Sequence, residues 1–207
     1  MLITVSGPAG TGKSQIAKEL VKEFDYHPII LCTTRPKRPG EIHGKDYYFF
    51  DTIKDFNTFK EYGQLMNIES YPGNRFYALK KSDIEKAIES DERYVLVCTP
   101  RCIREIEREF NTDSIYKIYI TSSLNVRATR YIERLGESFS LDDLNELVDR
   151  SNMDFGKFDG FELEADIILD NSKNLTKEEM KEYISDLDTH ISSNLKKDCE
   201  YDYTVRF

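Results

Sequence analysis

Residues 7–14, with the sequence GPAGTGKS, constrain the fold of this chain more than any other segment. They match G-x-x-x-x-G-K-[ST] at every fixed position, and they lie between an apolar stretch at 2–6 and a helical pattern at 14–24. Glycines let the backbone turn tightly and direct N–H groups at phosphate oxygens, and the start of a helix favours an anion. The segment therefore predicts a phosphate-binding loop that joins a buried strand to a helix.

The pattern also assigns expected roles to individual residues of the loop. Lys13 is expected to reach the β- and γ-phosphates of ATP, and the Ser14 hydroxyl is expected to ligate Mg²⁺. The predicted ATP-binding residues are Gly7, Pro8, Ala9, Gly10, Thr11, Gly12, Lys13 and Ser14. The N-K-x-D pattern with which GTPases read guanine does not occur in the sequence. A short chain with this loop and a second basic site is typical of a kinase.

Apolar runs alternate with helical patterns along the chain, which indicates a parallel sheet covered by helices on both faces. The predicted strands are residues 2–6, 28–32, 93–99, 115–121 and 165–169. The expected fold class is α/β, namely a P-loop NTPase fold with a five-stranded parallel sheet flanked by helices. Near the end of the chain, Thr176 and Glu179 predict a capping box, and apolar residues follow it at helical spacing.

Two segments interrupt this alternation. Residues 33–90 are rich in aromatic, charged and turn residues and predict an inserted acceptor-binding subdomain, whereas residues 127–155 are strongly charged and predict a helical lid. The whole chain, 1–207, is expected to form one domain. Its core is predicted at 1–32, 91–126 and 156–197, and a C-terminal tail is predicted at 198–207.

Composition narrows the possible partners. The formal net charge of −9 argues against a nucleic acid polymer. The longest apolar runs are too short to span a bilayer, and the first residues lack the pattern of a signal peptide, so we expect a cytoplasmic protein without membrane association. The four cysteines include no C-x-x-C pair, which favours reduced thiols over zinc ligands or disulfides. The oligomeric state stays open between monomer and homodimer.

A second dense segment, TTRPKRPGEIHGKDYYF, occupies residues 33–49. Arg35 and Arg38 are three residues apart in a stretch that two prolines stiffen, so their guanidinium groups can converge on one phosphate or carboxylate. Tyr47 could add a phenolic donor to the same anion. Judged by charge alone, the segment is better interpreted as a solvated basic loop.

With both segments in view, the chain resembles the guanylate kinase family from residue 1 to about 190, through residues 7–14 and the pattern T-T-R-P-x-R-P-G-E-x-x-G-x-D-Y-x-F at 33–49. The resemblance implies a kinase that transfers the γ-phosphoryl group of ATP, with Mg²⁺, to a nucleoside monophosphate. It implies that Arg35, Arg38 and Tyr47 hold the phosphate of the acceptor. Tyr77, in the stretch GNRFYA, is implied to add to that grip.

The resemblance further implies that arginines of the lid close over the phosphates of ATP. Arg130 and Arg134 keep the family's four-residue spacing, and Arg150 matches a later arginine. Together with Lys13 these are the expected catalytic residues, although a solvated helix face is the alternative for the arginines. Arg127 has no match in the family pattern and is interpreted as a surface residue.

The chain departs from the family pattern where the base of the acceptor is read and where an acid would orient Mg²⁺. Asn67 stands where the family has a glutamate that contacts guanine, and an asparagine offers one acceptor and one donor group in place of two acceptors. Val97 and Thr99 replace two aspartates. Leu31 and Leu79 replace small hydroxyl residues.

These departures leave the phosphate-binding pattern intact but put the identity of the acceptor in question. Glu69 lies two residues after Asn67, so a shift in strand register could bring its carboxylate into the base site; otherwise it is a surface acid. The leading hypothesis is a kinase of GMP, dGMP or a related monophosphate. The second is a kinase of another phosphorylated acceptor, such as a different or modified nucleotide or a ribose bisphosphate. The third is a non-catalytic binding module, against which the intact phosphate loop argues.

Overall fold

The structure, a computed structural model, describes residues 1–37, 40–71, 73–135, 145, 148–149, 152, 154, 156–173 and 175–194, with the backbone alone at 71, 134 and 135. In chain order the strands and helices are β1 (Leu2–Ser6), α1 (Lys13–Glu23), β2 (His27–Pro28), β3 (Cys32–Thr33), β4 (Tyr48–Phe49), α2 (Ile53–Glu61), β5 (Leu65–Tyr71), β6 (Arg75–Lys80), α3 (Lys81–Glu89), β7 (Tyr94–Val97), α4 (Pro100–Phe110), β8 (Ile115–Thr121), α5 (Leu124–Leu135), β9 (Ile167–Asp170) and α6 (Lys177–Asn194). A short 3₁₀ helix, Phe161–Leu163, precedes β9.

A five-stranded parallel sheet forms the centre of the fold, in the order β2-β7-β1-β8-β9. All five residues of the central strand β1 are buried, and they alternate between the two faces of the sheet. Leu2 packs with apolar residues of α3 and α4, whereas Ile3 and Val5 pack with those of α1 and α6. The predicted α/β fold with a parallel sheet of five strands is therefore confirmed.

The predicted second strand, residues 28–32, is wrong in its extent. His27 and Pro28 pair with β7 in the parallel sheet, and the Ile29 amide still donates to the Val95 carbonyl. The chain then leaves that sheet, and Cys32 and Thr33 pair with β4 and β6 in another sheet. One apolar run thus supplies two sheets, which a strand pattern alone cannot distinguish from one continuous strand.

A smaller four-stranded sheet, in the order β4-β3-β6-β5, lies within the segment predicted to bind the acceptor. Its strands β5 and β6 form an antiparallel pair, whose register shifts between Met66 and Glu69. One face of this sheet packs against Phe56 of α2, in a cluster with Cys32, Leu65 and Ala78. This sheet and its apolar cluster lie within residues 32–80, so the segment has a hydrophobic core separate from that of the parallel sheet.

The strands β1, β7, β8 and β9 all end at the same edge of the parallel sheet, because parallel strands share one direction. Ligands of open α/β sheets bind beyond this carboxyl edge. The loop at 7–14 leaves β1 there, and the Ser6 hydroxyl donates to the Cys98 carbonyl at 2.7 Å, just beyond the end of β7. In the part of the chain that the structure covers, no helix is long and apolar enough to cross a membrane.

The predicted capping box is present at the start of α6. The Thr176 amide donates to the Glu179 carboxylate at 2.8 Å, and the Glu179 amide donates to the Thr176 hydroxyl at 3.2 Å. Both exchanges satisfy N–H groups that have no partner within the helix. The box fixes the start of a helix whose Ile184, Leu187 and Ile191 are buried against the parallel sheet.

We expect Thr176→Ala to lower the free energy of unfolding by about 1 kcal/mol, because it removes the acceptor for the Glu179 amide. Urea denaturation followed by circular dichroism measures this change. Thr189→Ala is the matched control, since Thr189 is exposed in the middle of the same helix and caps nothing. Equal unfolding midpoints for the two variants would contradict a stabilising role for the box.

Candidate active site

The phosphate loop is built on glycines that no other residue could replace without rearrangement. A β-carbon on Gly7 would lie 2.2 Å from the carbonyl oxygen of Ile120 in β8. Gly12, with a φ of +93°, would place a β-carbon 2.4 Å from the side-chain nitrogen of Asn171. Gly10 has a φ of +82° and lies against Arg127. The glycines of the predicted pattern therefore serve both close backbone approach and left-handed conformation.

Two buried side chains hold the loop in shape. The Thr11 hydroxyl donates to the Pro8 carbonyl at 2.9 Å across the turn. Asn171, only 5% exposed, donates from its amide to the Thr11 carbonyl at 2.8 Å. Sequence reasoning missed Asn171, and the signal that could have found it is its place directly after a strand at the carboxyl edge of the sheet.

Lys13 and Ser14 occupy the first turn of α1, as the pattern predicts. Gly12, at the N-cap, provides no side-chain acceptor, so N–H groups of the first turn are left for an anion. The Lys13 ammonium donates to the Pro8 carbonyl at 2.8 Å. Burial lowers the pKa of Lys13 to about 8, against the opposing effect of the nearby Asp154 carboxylate. Ser14 is exposed beside it.

A cavity of about 820 Å³ opens between the loop and α5. It is large enough for a nucleotide, and its walls carry several cationic side chains. Lining residues include Ala9, Lys13, Ser14, Lys18, Arg127, Arg130, Asn171 and Lys173. The clustering of positive charge around a glycine loop suits a polyphosphate. Among the residues that the structure describes, no group of three or more His, Cys, Asp or Glu side chains could hold a metal by itself.

Of the predicted lid arginines, the structure places Arg130 at this cavity. One of its guanidinium nitrogens donates to the Lys173 carbonyl at 3.0 Å. The other terminal nitrogen of the guanidinium is buried and has no hydrogen-bond partner in the described part of the chain. The side chain of Arg134 and the whole of Arg150 lie outside the described residues.

Arg127 is a correction, since its interpretation as a surface residue is wrong. Its guanidinium donates to the Ala9 carbonyl at 3.3 Å, and its backbone and β-carbon lie against Gly10. Its Nε atom is buried without a partner within the described residues. Because it lines the same cavity as Lys13, Arg127 belongs with the cationic groups around the phosphate loop.

Asp154 also contacts the loop, and sequence reasoning missed it. The Ala9 amide donates to the Asp154 carboxylate at 2.6 Å, and the same carboxylate acts on the pKa of Lys13. A carboxylate oxygen of Asp154 therefore accepts a hydrogen bond from a loop N–H group that is expected to bind a phosphate oxygen. No local pattern predicts this contact, because the two partners are 145 residues apart along the chain.

Arg35, Tyr47 and Tyr77, predicted to hold the acceptor's phosphate, come together in the structure. The rings of Tyr47 and Tyr77 are 5.9 Å apart, and the Arg35 guanidinium lies 5.1 Å from the centre of the Tyr47 ring. Arg35 is only 6% exposed and forms two hydrogen bonds with the Glu41 carboxylate, at 2.7 and 2.9 Å. This pairing, with a smaller contribution from Tyr77, raises the pKa of Arg35. Arg38 lies outside the described residues.

A second cavity, of about 230 Å³, lies between Tyr77 of this cluster and the phosphate loop. Asn67, Glu69 and Tyr77 line it on the side of the small sheet, and Gly7, Ala9, Lys13 and Asp154 line it on the loop side. Its remaining wall is largely apolar, with Leu31, Leu79, Leu96, Val97, Cys98, Cys102 and Phe158. Ala9 and Lys13 line both cavities, so the phosphate loop forms part of the wall of each.

We expect Asp154→Asn to bind ATP about tenfold more tightly at pH 7, because it removes a negative charge from the loop that receives the triphosphate. Isothermal titration calorimetry with ATP measures the dissociation constant. Asp159→Asn is the matched control, since Asp159 is exposed and makes the same change of charge five residues away. An unchanged or weaker affinity for Asp154→Asn alone would contradict competition between this carboxylate and phosphate.

The lowered pKa of Lys13 predicts a pH dependence for ATP binding. In the ligand-free protein the ammonium loses its proton as the pH rises through about 8, and phosphate favours the charged form. We therefore expect the dissociation constant of ATP to increase between about pH 7 and pH 9 in the wild type. Lys13→Arg, which stays charged over this range, should show a flat profile. A wild-type profile as flat as that of Lys13→Arg would contradict the assignment.

The chain is similar in sequence to known proteins of one family. A family model described as Guanylate kinase matches residues 1–194. A guanylate kinase from Oceanobacillus iheyensis is 30% identical over 153 residues, which cover 73% of this chain and 72% of the relative. A guanylate kinase from Blochmanniella pennsylvanica is 32% identical over 146 residues, which cover 66% of this chain and 65% of the relative.

A solved structure supports the same fold. The crystal structure of guanylate kinase from Anaplasma phagocytophilum is similar with a TM-score of 0.65 at 18% identity, covering 96% of this chain and 88% of that chain. At this identity the likeness shows the fold, which is the P-loop NTPase fold predicted from the sequence. Guanylate kinases are phosphotransferases of the nucleoside monophosphate kinase class. The match to the family over residues 1–194 shows that this chain belongs to the guanylate kinase family.

Proposed function

We propose that the protein is an ATP-dependent nucleoside monophosphate kinase, which transfers the γ-phosphoryl group of ATP to GMP, dGMP or a related monophosphate. The observation that carries the proposal is that Ala9 and Lys13 line both cavities. A donor polyphosphate in the larger cavity and an acceptor in the smaller one would face each other across the end of the loop. The family and the names of the relatives support the same reaction class.

The reaction needs little covalent chemistry from the protein. An oxygen of the acceptor's phosphate forms a bond to the γ-phosphorus, the bond from that phosphorus to the β,γ-bridging oxygen breaks, and ADP leaves. Because the acceptor oxygen is already anionic, no strong general base is required. The task of the site is to align two polyanions and to shield their mutual repulsion. Lys13, which lines both cavities, is placed to do both.

Arg35 is the group on which the acceptor side of the proposal rests. Glu41 holds the guanidinium with two hydrogen bonds, and the Pro36 carbonyl accepts a third at 2.8 Å. This leaves the arginine rigid, with its guanidinium against the ring of Tyr47 and interacting with Tyr77. A preorganised cation of this kind binds phosphate without first having to be ordered.

Mg²⁺ is the metal that the family implies, and the residues present fit it. Ser14 is exposed in the first turn of α1 at the wall of the larger cavity, where its hydroxyl could ligate an ion held mainly by the phosphates of ATP. When bound, Mg²⁺ would neutralise negative charge on the phosphates during transfer. Arg127, Arg130 and Lys13 would supply the positive charge of the protein itself. A cytoplasmic location remains a prediction from the sequence.

One observation favours the second candidate function, a kinase of another phosphorylated acceptor. The smaller cavity is apolar at Leu31, Leu79 and Val97, where the family pattern has polar residues. A different or modified nucleotide, or a ribose bisphosphate, would use the same phosphate-binding groups. A non-catalytic binding module is the least supported of the three hypotheses, because the whole phosphate loop and both cavities are present.

A turnover screen tests the proposal, with ATP and Mg²⁺ against all ribo- and deoxynucleoside monophosphates. We expect formation of ADP that depends on one of these acceptors. Lys13→Met should cost about 2–4 kcal/mol of transition-state stabilisation, which lowers kcat about 30-fold to 900-fold. Lys22→Met, which removes an exposed lysine from the same helix, is the control and should retain wild-type turnover.

Two results of this screen would count against the proposal. Near-normal turnover of Lys13→Met would show that the lysine of the phosphate loop is not needed for phosphoryl transfer. ATP binding with no turnover on any monophosphate or on ribose bisphosphates would favour a binding module instead.

A further inference from the structure

Strand β5 carries one residue more than its partner in the middle of the small sheet. Met66 pairs with Leu79, and the next recorded pair joins Glu69 with Tyr77. Two residues of β5, Asn67 and Ile68, therefore stand opposite the single residue Ala78 of β6. This two-to-one count defines a β-bulge.

The bulge decides which face of the sheet receives Glu69. Leu65 and Ile68 pack with the cluster around Phe56, whereas Met66 packs on the other face against the core of the parallel sheet. In a regular strand, Glu69 would alternate onto the face of Leu65, because side chains repeat with a period of two. After the extra residue, both Asn67 and Glu69 line the smaller cavity instead.

Local chemistry makes the bulge at this position and not elsewhere. Asn67 has a φ of +46°, a left-handed conformation that asparagine tolerates better than most residues. The backbone N–H group of Asn67 does not pair with β6 because of the bulge. It donates instead to the carboxylate of Glu105 in α4, at 2.8 Å. A glutamate at position 67 would be strained in this conformation. The helix α4 thus stabilises the bulge by accepting the N–H group that β6 no longer uses.

The cavity that results offers hydrogen-bond acceptors within apolar walls. Asn67 is only 7% exposed, and its side-chain oxygen is buried with no hydrogen-bond partner among the described residues. Glu69 lies beside it and directly across the sheet from Tyr77. An unpartnered buried acceptor is costly unless a ligand supplies the donor. The site therefore suits a base edge with adjacent donors, and guanine presents such an edge with N1–H and its 2-amino group.

We infer that Glu69, carried into the base pocket by the bulge, is the residue that selects guanine, in place of the acid that the family pattern has at position 67. Its carboxylate accepts from N1–H and the 2-amino group of the acceptor's base, and the Asn67 carbonyl adds a further acceptor. Glu105 is a positioning residue, which acts through the amide of Asn67. The inference rests on the proposed nucleoside monophosphate kinase activity and specifies how that activity chooses its acceptor.

GMP and IMP are the matched probes, because IMP differs from GMP only by lacking the 2-amino group. We expect the wild type to use GMP with a kcat/KM about tenfold or more above that for IMP. Glu69→Gln should lower kcat/KM for GMP by about tenfold to a hundredfold and should leave IMP within about threefold, since glutamine keeps one acceptor for N1–H. The KM for ATP should not change in this variant.

Two further variants separate base reading from general damage. Glu61→Gln makes the same change of charge at an exposed position of α2 in the same segment, and it should leave the ratio of GMP to IMP unchanged. Glu105→Ala removes the acceptor for the Asn67 amide and should reduce that ratio, whereas Glu105→Gln retains an acceptor oxygen and should restore it. A merely structural role for Glu105 would lower kcat/KM for both acceptors equally.

The outcomes distinguish this inference from the proposed function. Loss of the preference for GMP over IMP in Glu69→Gln, with Glu61→Gln unchanged, supports the inference. Turnover of GMP with an unchanged preference in Glu69→Gln overturns it while leaving the kinase activity intact. Turnover of another monophosphate in place of GMP likewise overturns the inference alone. Absence of turnover with every monophosphate overturns both.

Discussion

The close approach of Gly7 to β8 is the constraint on which the rest of the site depends. A β-carbon at this position would lie 2.2 Å from the Ile120 carbonyl oxygen, so the chain can leave β1 in this direction only without a side chain. Asn171, just beyond β9, then binds the Thr11 carbonyl and lies against Gly12. Three neighbouring strand ends therefore fix one loop, and the positions of its N–H groups follow from the sheet rather than from flexible side chains.

The acceptor side is built on a different physical basis. Its cations and hydroxyls are side chains on a small sheet, which has its own apolar cluster around Phe56. Arg35 keeps its orientation through the Glu41 carboxylate, the Pro36 carbonyl and the ring of Tyr47. A phosphate site made of backbone N–H groups tolerates almost no substitution. In a site made of side chains, by contrast, substitutions can place the same chemical group at a different sequence position. The departures from the family pattern at Leu31, Asn67 and Thr99 all line the smaller cavity, where side chains and not the backbone form the site.

The same distinction explains how far sequence reasoning could reach. The phosphate loop, β8 and the capping box of α6 follow from patterns within a few residues, and the structure has all three where they were predicted. The split of residues 28–32 between two sheets, and the contacts of Arg127 and Asp154 with the loop, depend on parts of the chain far apart in sequence. Arg127 shows the difficulty most plainly, because a lone arginine in a helical pattern is ordinarily a solvated residue. Only the approach of α5 to Gly10 places Arg127 beside the phosphate loop.

The bulge in β5 shows why a comparison position by position can misjudge such a site. Because strand side chains alternate, one added residue moves every later side chain to the opposite face. Asparagine at 67 and an acid at 69 are then one structural change, since the left-handed residue must tolerate its φ and the acid takes the next place that faces the cavity. The amide released by the bulge needs an acceptor, which brings Glu105 of α4 into the same arrangement. The chemistry of the base pocket is therefore encoded jointly by a strand and by a helix 38 residues away, and no single position of the pattern carries it.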